Sequence, residues 1–397
     1  MNVPVAKAPS AAGREQRPSV SKYRFPWRGG NRFQLLVDGN QFFPHMLQAI
    51  NDAAHHVHLE IYLFETGNVA GRFIDALVAA AARGVDVRVI LDDFGARGLG
   101  RGDRERLRGG GVKLAFYNPL RIGKWLKNLA RDHRKLLVTD GTTAFVGGTG
   151  ITDEFDPADS PESRWRETVV KVAGPVIFDW QLLFIESWRR HTGEMLRLPA
   201  KPAVATGEGM LGRVTLMRGR SQQGIKRDLI THVHSAERRV WFSTAYFVPP
   251  RRIRRALRRA ARRGVDVRLL LAGPRTDHPA VRLAGRRFYA SMLRSGVRIF
   301  EFQPRVLHSK VSLCDSWVSI GSSNLDNWNL RWNLDANQAI EDQEFAEQVR
   351  AMFDADFAQT IEYTYRDWTR RSWRLRVSEW LWGLVDRFLN SIGDGRR

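Results

Sequence analysis

One pattern occurs twice in this chain. His-x-Lys-x4-Asp appears as His133, Lys135 and Asp140, and again as His308, Lys310 and Asp315. The copies lie 175 residues apart, and each opens a strand-like apolar run. Each is followed by a turn of small residues, Gly147-Gly148-Thr149-Gly150 and Gly321-Ser322-Ser323-Asn324. A second feature recurs at nearly the same offset. Arg83-Gly-Val-Asp-Val-Arg-Val-Ile-Leu91 returns 180 residues later as Arg263-Gly-Val-Asp-Val-Arg-Leu-Leu-Leu271. Both copies read as the end of an Ala-rich helix, a glycine cap and a buried strand. A period this long excludes a solenoid, so the economical reading is a duplicated unit and two similar lobes. Upstream, strand 33–37, helix 43–54, strand 57–64, helix 71–83 and strand 85–91 alternate. That alternation predicts an α/β layer architecture.

The expected organisation is a flexible basic arm (1–28), a first lobe (29–198), a Pro/Ala/Gly-rich linker (199–212), a second lobe (213–365) and an amphipathic tail (366–397). Helix is expected from about Ile340 onward. In the tail, Trp373, Val377, Trp380, Leu381, Leu384, Phe388 and Ile392 recur at helical spacing, with most arginines off that stripe. The pattern suits a helix docked on the core or one lying in a membrane interface.

Lysine and arginine total 63 against 42 acidic residues, a net charge of +21. The natural partner is a polyanion, either nucleic acid or an anionic membrane. Thirteen tryptophans favour the membrane–water interface. Eight arginines fall between Arg251 and Arg263, around Ile253, Ala256, Leu257 and Ala260, whereas the first-lobe counterpart is nearly neutral. No apolar run reaches about 18 residues and the N-terminus has no signal-peptide core, so neither a spanning helix nor secretion is expected. The single cysteine, Cys314, excludes an internal disulfide framework.

Residues two apart on a strand share a face, so each motif presents an imidazole beside an ammonium. Two lysines and an Asn amide can hold a phosphate. One neutral imidazole can attack phosphorus while a second, protonated one supplies a proton to the leaving oxygen. The two histidines should then have pKa values pushed apart, and each needs a carboxylate on its far nitrogen. The lysines supply the positive charge, so no metal is required. Glu60 and Tyr62 alternate on a strand that would end near this site.

These motifs resemble those of the phospholipase D superfamily. The stretch from His308 to Ile340 closely resembles the second motif of bacterial cardiolipin synthases. Similarity runs from about Trp27 to about Ile340, and its first part is most similar to the cardiolipin synthases that lack N-terminal transmembrane helices. The resemblance implies two α/β/α sandwich lobes with one active site at their interface. It implies that His133 is the nucleophile that forms a phosphohistidine and that His308 is the general acid. Lys135, Lys310 and Asn324 correspond to the phosphate-binding groups, and Asp140 and Asp315 to residues that brace the motifs. Asp335 stands where the family usually has a Glu that orients the second motif's histidine, His308. Glu167 stands where an acidic residue orients the first, His133. Two positions depart from the pattern: Gly150 replaces a frequent Asn, and Asp335 is one methylene shorter than Glu.

The activity implied is phosphatidyl transfer between phosphatidylglycerol molecules with release of glycerol, without a cofactor. A phospholipase D-type hydrolase or transphosphatidylase, or a nuclease of the same superfamily, is the alternative. The partners expected are phosphatidylglycerol and an anionic phospholipid surface, on the cytoplasmic side of the cell membrane, with no nucleic acid. Two motifs in one chain make a monomer sufficient for the site.

Overall fold

A computed structural model of the chain describes residues 24–372 apart from 122, 124–127, 201–208, 220–221 and 327–331, together with Trp382. The arm before residue 24, the middle of the linker and the tryptophan stripe of the tail lie outside the described residues.

The first lobe supplies β1 (Arg28–Val37), β2 (His56–Ile61), β3 (Asp86–Asp92), β4 (Lys113–Tyr117), β5 (Leu136–Thr139), β6 (Thr143–Gly147) and β7 (Thr168–Ala173). The second begins with β8 (Met210–Arg218), a short β9 (Gln222–Gln223) that pairs with it, β10 (Arg239–Thr244) and β11 (Phe247–Val248). It continues with β12 (Asp266–Ala272), β13 (Arg298–Phe302), β14 (Val311–Cys314), β15 (Trp317–Gly321), β16 (Leu325–Asp326), β17 (Leu334–Glu341) and β18 (Thr360–Tyr363). The main sheet runs β18-β13-β12-β10-β14-β15-β17-β8-β1-β7-β6-β5-β2-β3-β4. Read outward from the central β8–β1 pair, the strands of the two lobes correspond one to one, with β18 added at one edge. The duplication legible in the sequence is therefore a pseudo-two-fold in space, and the lobes share one continuous sheet.

The repeated segments recur because they make the same bonds. The helix Asn68–Ala82 buries Val69, Phe73, Ile74, Leu77 and Ala80, spaced for one face. Arg83 follows it and donates to the carbonyls of Ile50, Asn51 and Ala53 at 3.2, 2.8 and 3.3 Å. Arg263 does the same to Val233, His234 and Ala236 at 3.3, 3.1 and 3.2 Å. Gly84 and Gly264, at φ 89° and 91°, then turn the chain into β3 and β12. The arginine-rich helix, Arg251–Arg262, buries Ile253, Ala256, Leu257 and Ala260.

Asp140 and Asp315 both sit at φ 51°, in the left-handed region. The Asp140 carboxylate accepts the backbone N–H groups of Ala54, His55 and His56, each at 2.8 Å. Asp315 accepts those of Glu237, Arg238 and Arg239 at 2.9, 3.1 and 2.9 Å. Each aspartate thus pins the start of the strand that flanks its motif strand.

Four boundaries differ from the sequence expectation. Phe25 is buried and Arg28 opens β1, its guanidinium bidentate on Asp179 at 2.6 and 2.8 Å, so packing begins inside the expected arm. The end of the expected linker is β8, held by eight registered pairs with β17. The chain beyond Ile340 is not all helix. After the helix Gln343–Phe357, Thr360–Tyr363 pairs antiparallel with β13. The next turn buries Trp368 against Tyr289 and Tyr363, which extends the second lobe past 365.

Burial works to raise the Asp140 pKa, but its backbone N–H partners outweigh that and lower it overall. A depressed folded pKa means stability that is present above the ordinary aspartate range and lost as pH falls through the depressed value. Asp140→Ala is expected to cost about 1–3 kcal/mol at pH 7. Urea unfolding should show the deficit narrowing below about pH 4.

Candidate active site

His133 and Lys135 precede β5, and His308 and Lys310 precede β14. Two short parallel bridges between the lobes bring them together. Asp132 bridges Leu334, with the His133 N–H on the Leu334 carbonyl at 3.0 Å. Arg166 bridges Leu307, with the His308 N–H on the Arg166 carbonyl at 2.8 Å. Each bridge sets the residue after it, Asp335 or Glu167, beside the histidine of the other lobe.

The carboxylate pairing is therefore crossed. His133 Nδ1 lies 2.9 Å from Asp335 Oδ1, and His308 Nδ1 lies 2.6 Å from Glu167 Oε2. This corrects the sequence reading, which gave Asp335 to His308 and Glu167 to His133. The physical reason is the inter-lobe bridge, which linear spacing does not reveal. A carboxylate only accepts, so each Nδ1 carries the proton, which leaves His133 Nε2 for chemistry, while Lys310 Nζ lies 3.2 Å from His308 Nε2. The shorter side chain of Asp335 suffices because the bridge carries its backbone to His133. Ser322 Oγ also donates to Asp335 Oδ1, at 2.7 Å.

Two glycines of the first turn, Gly148 and the departing Gly150, have steric causes. A Cβ on Gly148 would lie 2.4 Å from Glu167 Oε2, so only glycine lets that carboxylate reach His308. A Cβ on Gly150 would meet Leu63 at 2.9 Å, where the family's Asn would need room.

Both imidazoles are buried, with His133 edge-on to Tyr62 at 4.9 Å and His308 against Trp165 at 5.4 Å and Phe155 at 5.5 Å. Burial, with the Lys135 ammonium next in weight, holds His133 down at about 4. Burial and Lys310 hold His308 well below the ordinary range. Both rings are pushed in the same direction, because both share dry, cationic surroundings. Burial and repulsion from Lys310 lower Lys135 as well. Burial raises Glu167 despite Lys310, whose Nζ is 3.4 Å away.

A cavity of about 730 Å³ opens onto His133, Lys135 and His308. Exposed Phe94 and Leu120 stand on its wall, and Tyr246, Asp277 and His278 line the second-lobe side. Lys310 sits behind His308, almost fully buried. Asn324 is also fully buried, and among the described residues neither of its amide atoms has a partner. Such an orphaned amide is costly unless something polar reaches it. Tyr62 lines the cavity as its alternation suggested; Glu60 does not, being fully buried in an ion pair with Arg134 at 2.9 Å. Asp277 and Trp165 gave no signal in the sequence, since neither belongs to the repeat. Only their place in space marks them.

Two His-Lys pairs from a duplicated α/β unit, with His133, Lys135 and His308 lining one cavity and Lys310 behind it, define a phosphodiester-transfer site of the phospholipase D class. A family model described as "Cardiolipin synthase, PLD-like domain" matches residues 46–157 and 229–357. Cardiolipin synthase A of Pseudomonas putida is 35% identical over 87% of this chain and 72% of its own length. Cardiolipin synthase B of Shigella flexneri is 35% identical over 82% of this chain and 80% of its own length. The chain belongs to the cardiolipin synthase family with phospholipase D-like domains. A phosphatidylserine synthase from Haemophilus influenzae shares the fold, with TM-score 0.72 and 14% identity over 94% of this chain and 96% of that one. A polyphosphate kinase from Porphyromonas gingivalis is more distant, at TM-score 0.55 and 15% identity over 81% of this chain and 50% of that one.

Lowered histidine pKa values mean stability that fades as pH drops from about 6.5 towards 4, where unfolded imidazoles protonate and buried ones resist. Long-range ¹H–¹⁵N spectra should show His133 as the neutral Nδ1–H tautomer at pH 7, with a midpoint near 4. Asp335→Asn should disturb His133 and leave His308 unchanged. The reverse pattern would restore the within-lobe pairing.

Proposed function

We propose that this chain is a cardiolipin synthase that moves a phosphatidyl group from one phosphatidylglycerol to another through His133. The observation that carries the reading is the pair of imidazoles, each fixed by a carboxylate of the opposite lobe, on one cavity with a lysine and an apolar wall.

In the first step, His133 Nε2 attacks phosphorus and the bond to the glycerol headgroup oxygen breaks. His308 gives that oxygen a proton and glycerol leaves. An anionic phosphodiester in the cavity offsets the lysine charges and so favours the protonated form of His308 that this step uses. In the second step, the headgroup hydroxyl of another phosphatidylglycerol gives its proton to His308 and attacks phosphorus. The P–N bond breaks, cardiolipin is released and both histidines return to their starting states. Lys135, Lys310 and the orphaned Asn324 amide are the groups assigned to phosphate. Glu167 and Asp335 are positioning residues. One phosphodiester replaces another, so no nucleotide is consumed.

No described helix is long and apolar enough to cross a membrane. Exposed Phe94 and Leu120 beside the catalytic residues suit a peripheral encounter with a bilayer, with the headgroup entering the cavity and the acyl chains kept at its edge. An apolar, aromatic-lined cavity also disfavours water relative to a lipid alcohol, which favours transfer over hydrolysis.

Purified protein incubated with phosphatidylglycerol vesicles, without divalent metal, should yield cardiolipin and glycerol by mass spectrometry. His133→Ala should yield neither. Phosphatidic acid as the sole lipid product would replace this reading with a hydrolase.

A further inference from the structure

The lobes close on the catalytic cavity with unlike chemistry. β10 and β12 run parallel, and β14 runs antiparallel to β10 with Val311 opposite Ser243. The chain that leaves β10 and β12 therefore emerges beside His308 and Lys310, which precede Val311. Tyr246 follows β10, Asp277 follows β12, and both line the cavity. The Tyr246 hydroxyl donates to Asp277 Oδ2, and His278 Nε2 lies 3.7 Å from the same oxygen. Among the described residues, Asp277 Oδ1 has only a long bond, from Thr276 Oγ1 at 3.4 Å. Burial and the neighbouring Asp277 charge push the Tyr246 phenol up, so it stays a donor and holds one carboxylate oxygen in place.

The first lobe uses its groups differently. Tyr62 follows β2 and sets its ring against His133 at 4.9 Å and Lys135 Nζ at 5.0 Å. The aspartate that ends β3, Asp92, is turned onto the backbone N–H groups of Phe94, Gly95 and Asp132 at 3.0, 3.0 and 2.9 Å. Of the other carboxylates on the cavity lining, Glu65 and Glu154 come from the first lobe and Asp326 is buried. Asp277 also bears on the second motif: burial and Lys310 lower His308, and the Asp277 charge opposes them. The cavity thus has an ammonium beside His133 and a carboxylate on the side of His308.

In a displacement at phosphorus the attacking and leaving atoms lie roughly in line. With His133 Nε2 attacking, the headgroup oxygen points to His308, and the rest of the headgroup extends towards Asp277 and Tyr246. A carboxylate there repels phosphate but accepts hydrogen bonds from hydroxyl groups. We propose, on the transferase reading of this site, that Asp277 held by Tyr246 forms a polyol-binding subsite, accepting hydrogen bonds from glycerol hydroxyls that take no part in the displacement. The second step is the first in reverse with a new headgroup, so the same subsite holds the departing glycerol and then the incoming one. A site built around such a contact rejects an alcohol that lacks the hydroxyl, because its own polar group is left unpaired. An ammonium headgroup fits less well, since Lys135 and Arg131 share the cavity.

Short-chain phosphatidylglycerol is incubated with the full chain and equal excesses of ¹³C-labelled glycerol, propanol and ethanolamine. Mass spectrometry then counts labelled phosphatidylglycerol, phosphatidylpropanol and phosphatidylethanolamine. Wild type should favour glycerol over both competitors. Asp277→Ala should lower the glycerol-to-propanol ratio about tenfold or more. Tyr246→Phe, which frees the carboxylate without removing it, should lower the ratio in the same direction but by less. The ratio does not depend on how much of a variant is folded, so a merely structural role would leave it unchanged. An unchanged ratio in Asp277→Ala overturns the proposal, and so does a wild type that prefers ethanolamine, which would make Asp277 a cation site. Wild type that forms none of the three products overturns the transferase reading itself; wild type that forms the glycerol and propanol products equally overturns the subsite alone.

Discussion

Everything at the catalytic centre depends on two hydrogen bonds that cross between lobes, His133 to Asp335 and His308 to Glu167. An imidazole does useful chemistry at phosphorus only if one nitrogen is committed and the other is free. Neither lobe provides that commitment for its own histidine. A single lobe would hold a motif with an unoriented ring, so the duplication is a requirement of the site. The backbone bridges at Asp132–Leu334 and Arg166–Leu307 fix the crossing, and the β8–β1 pairing, which shifts register between Arg28 and Asn31, joins the lobes in one sheet.

Electrostatics follow from that arrangement. The two histidines, two lysines, Glu167 and Asp335 are all buried. Taking so many ionisable groups out of water is costly unless they are paired. The result is a centre in which both imidazoles are neutral and both ammonium groups are held below their usual range. A phosphodiester brings the missing negative charge, so substrate binding and the protonation of His308 are linked.

Much of this was legible in the sequence for a definite reason: the repeat is a repeat of bonds. Arg83 and Arg263 cap equivalent helices, Asp140 and Asp315 brace equivalent strands, and the His-Lys pairs sit at equivalent strand entries. Each is a local interaction that a linear motif can encode. What escaped was non-local. The partner of each carboxylate depends on a long-range bridge, with His133 and Asp335 202 positions apart and His308 and Glu167 141 apart. β18 was missed because an edge strand of four residues has too little pattern to stand out beside a helix. Asp277 and Trp165 reach the cavity from loops whose course the period does not predict.

The central claim is that the lobes complete each other, with His133 taking the phosphatidyl group and Glu167 acting through His308. The most direct measurement is intact-protein and peptide mass spectrometry of Glu167→Gln after brief incubation with phosphatidylglycerol. Weakening His308 should slow the return step, so a phosphatidyl adduct should accumulate on the peptide that contains His133. An adduct on the peptide that contains His308 instead would contradict the account.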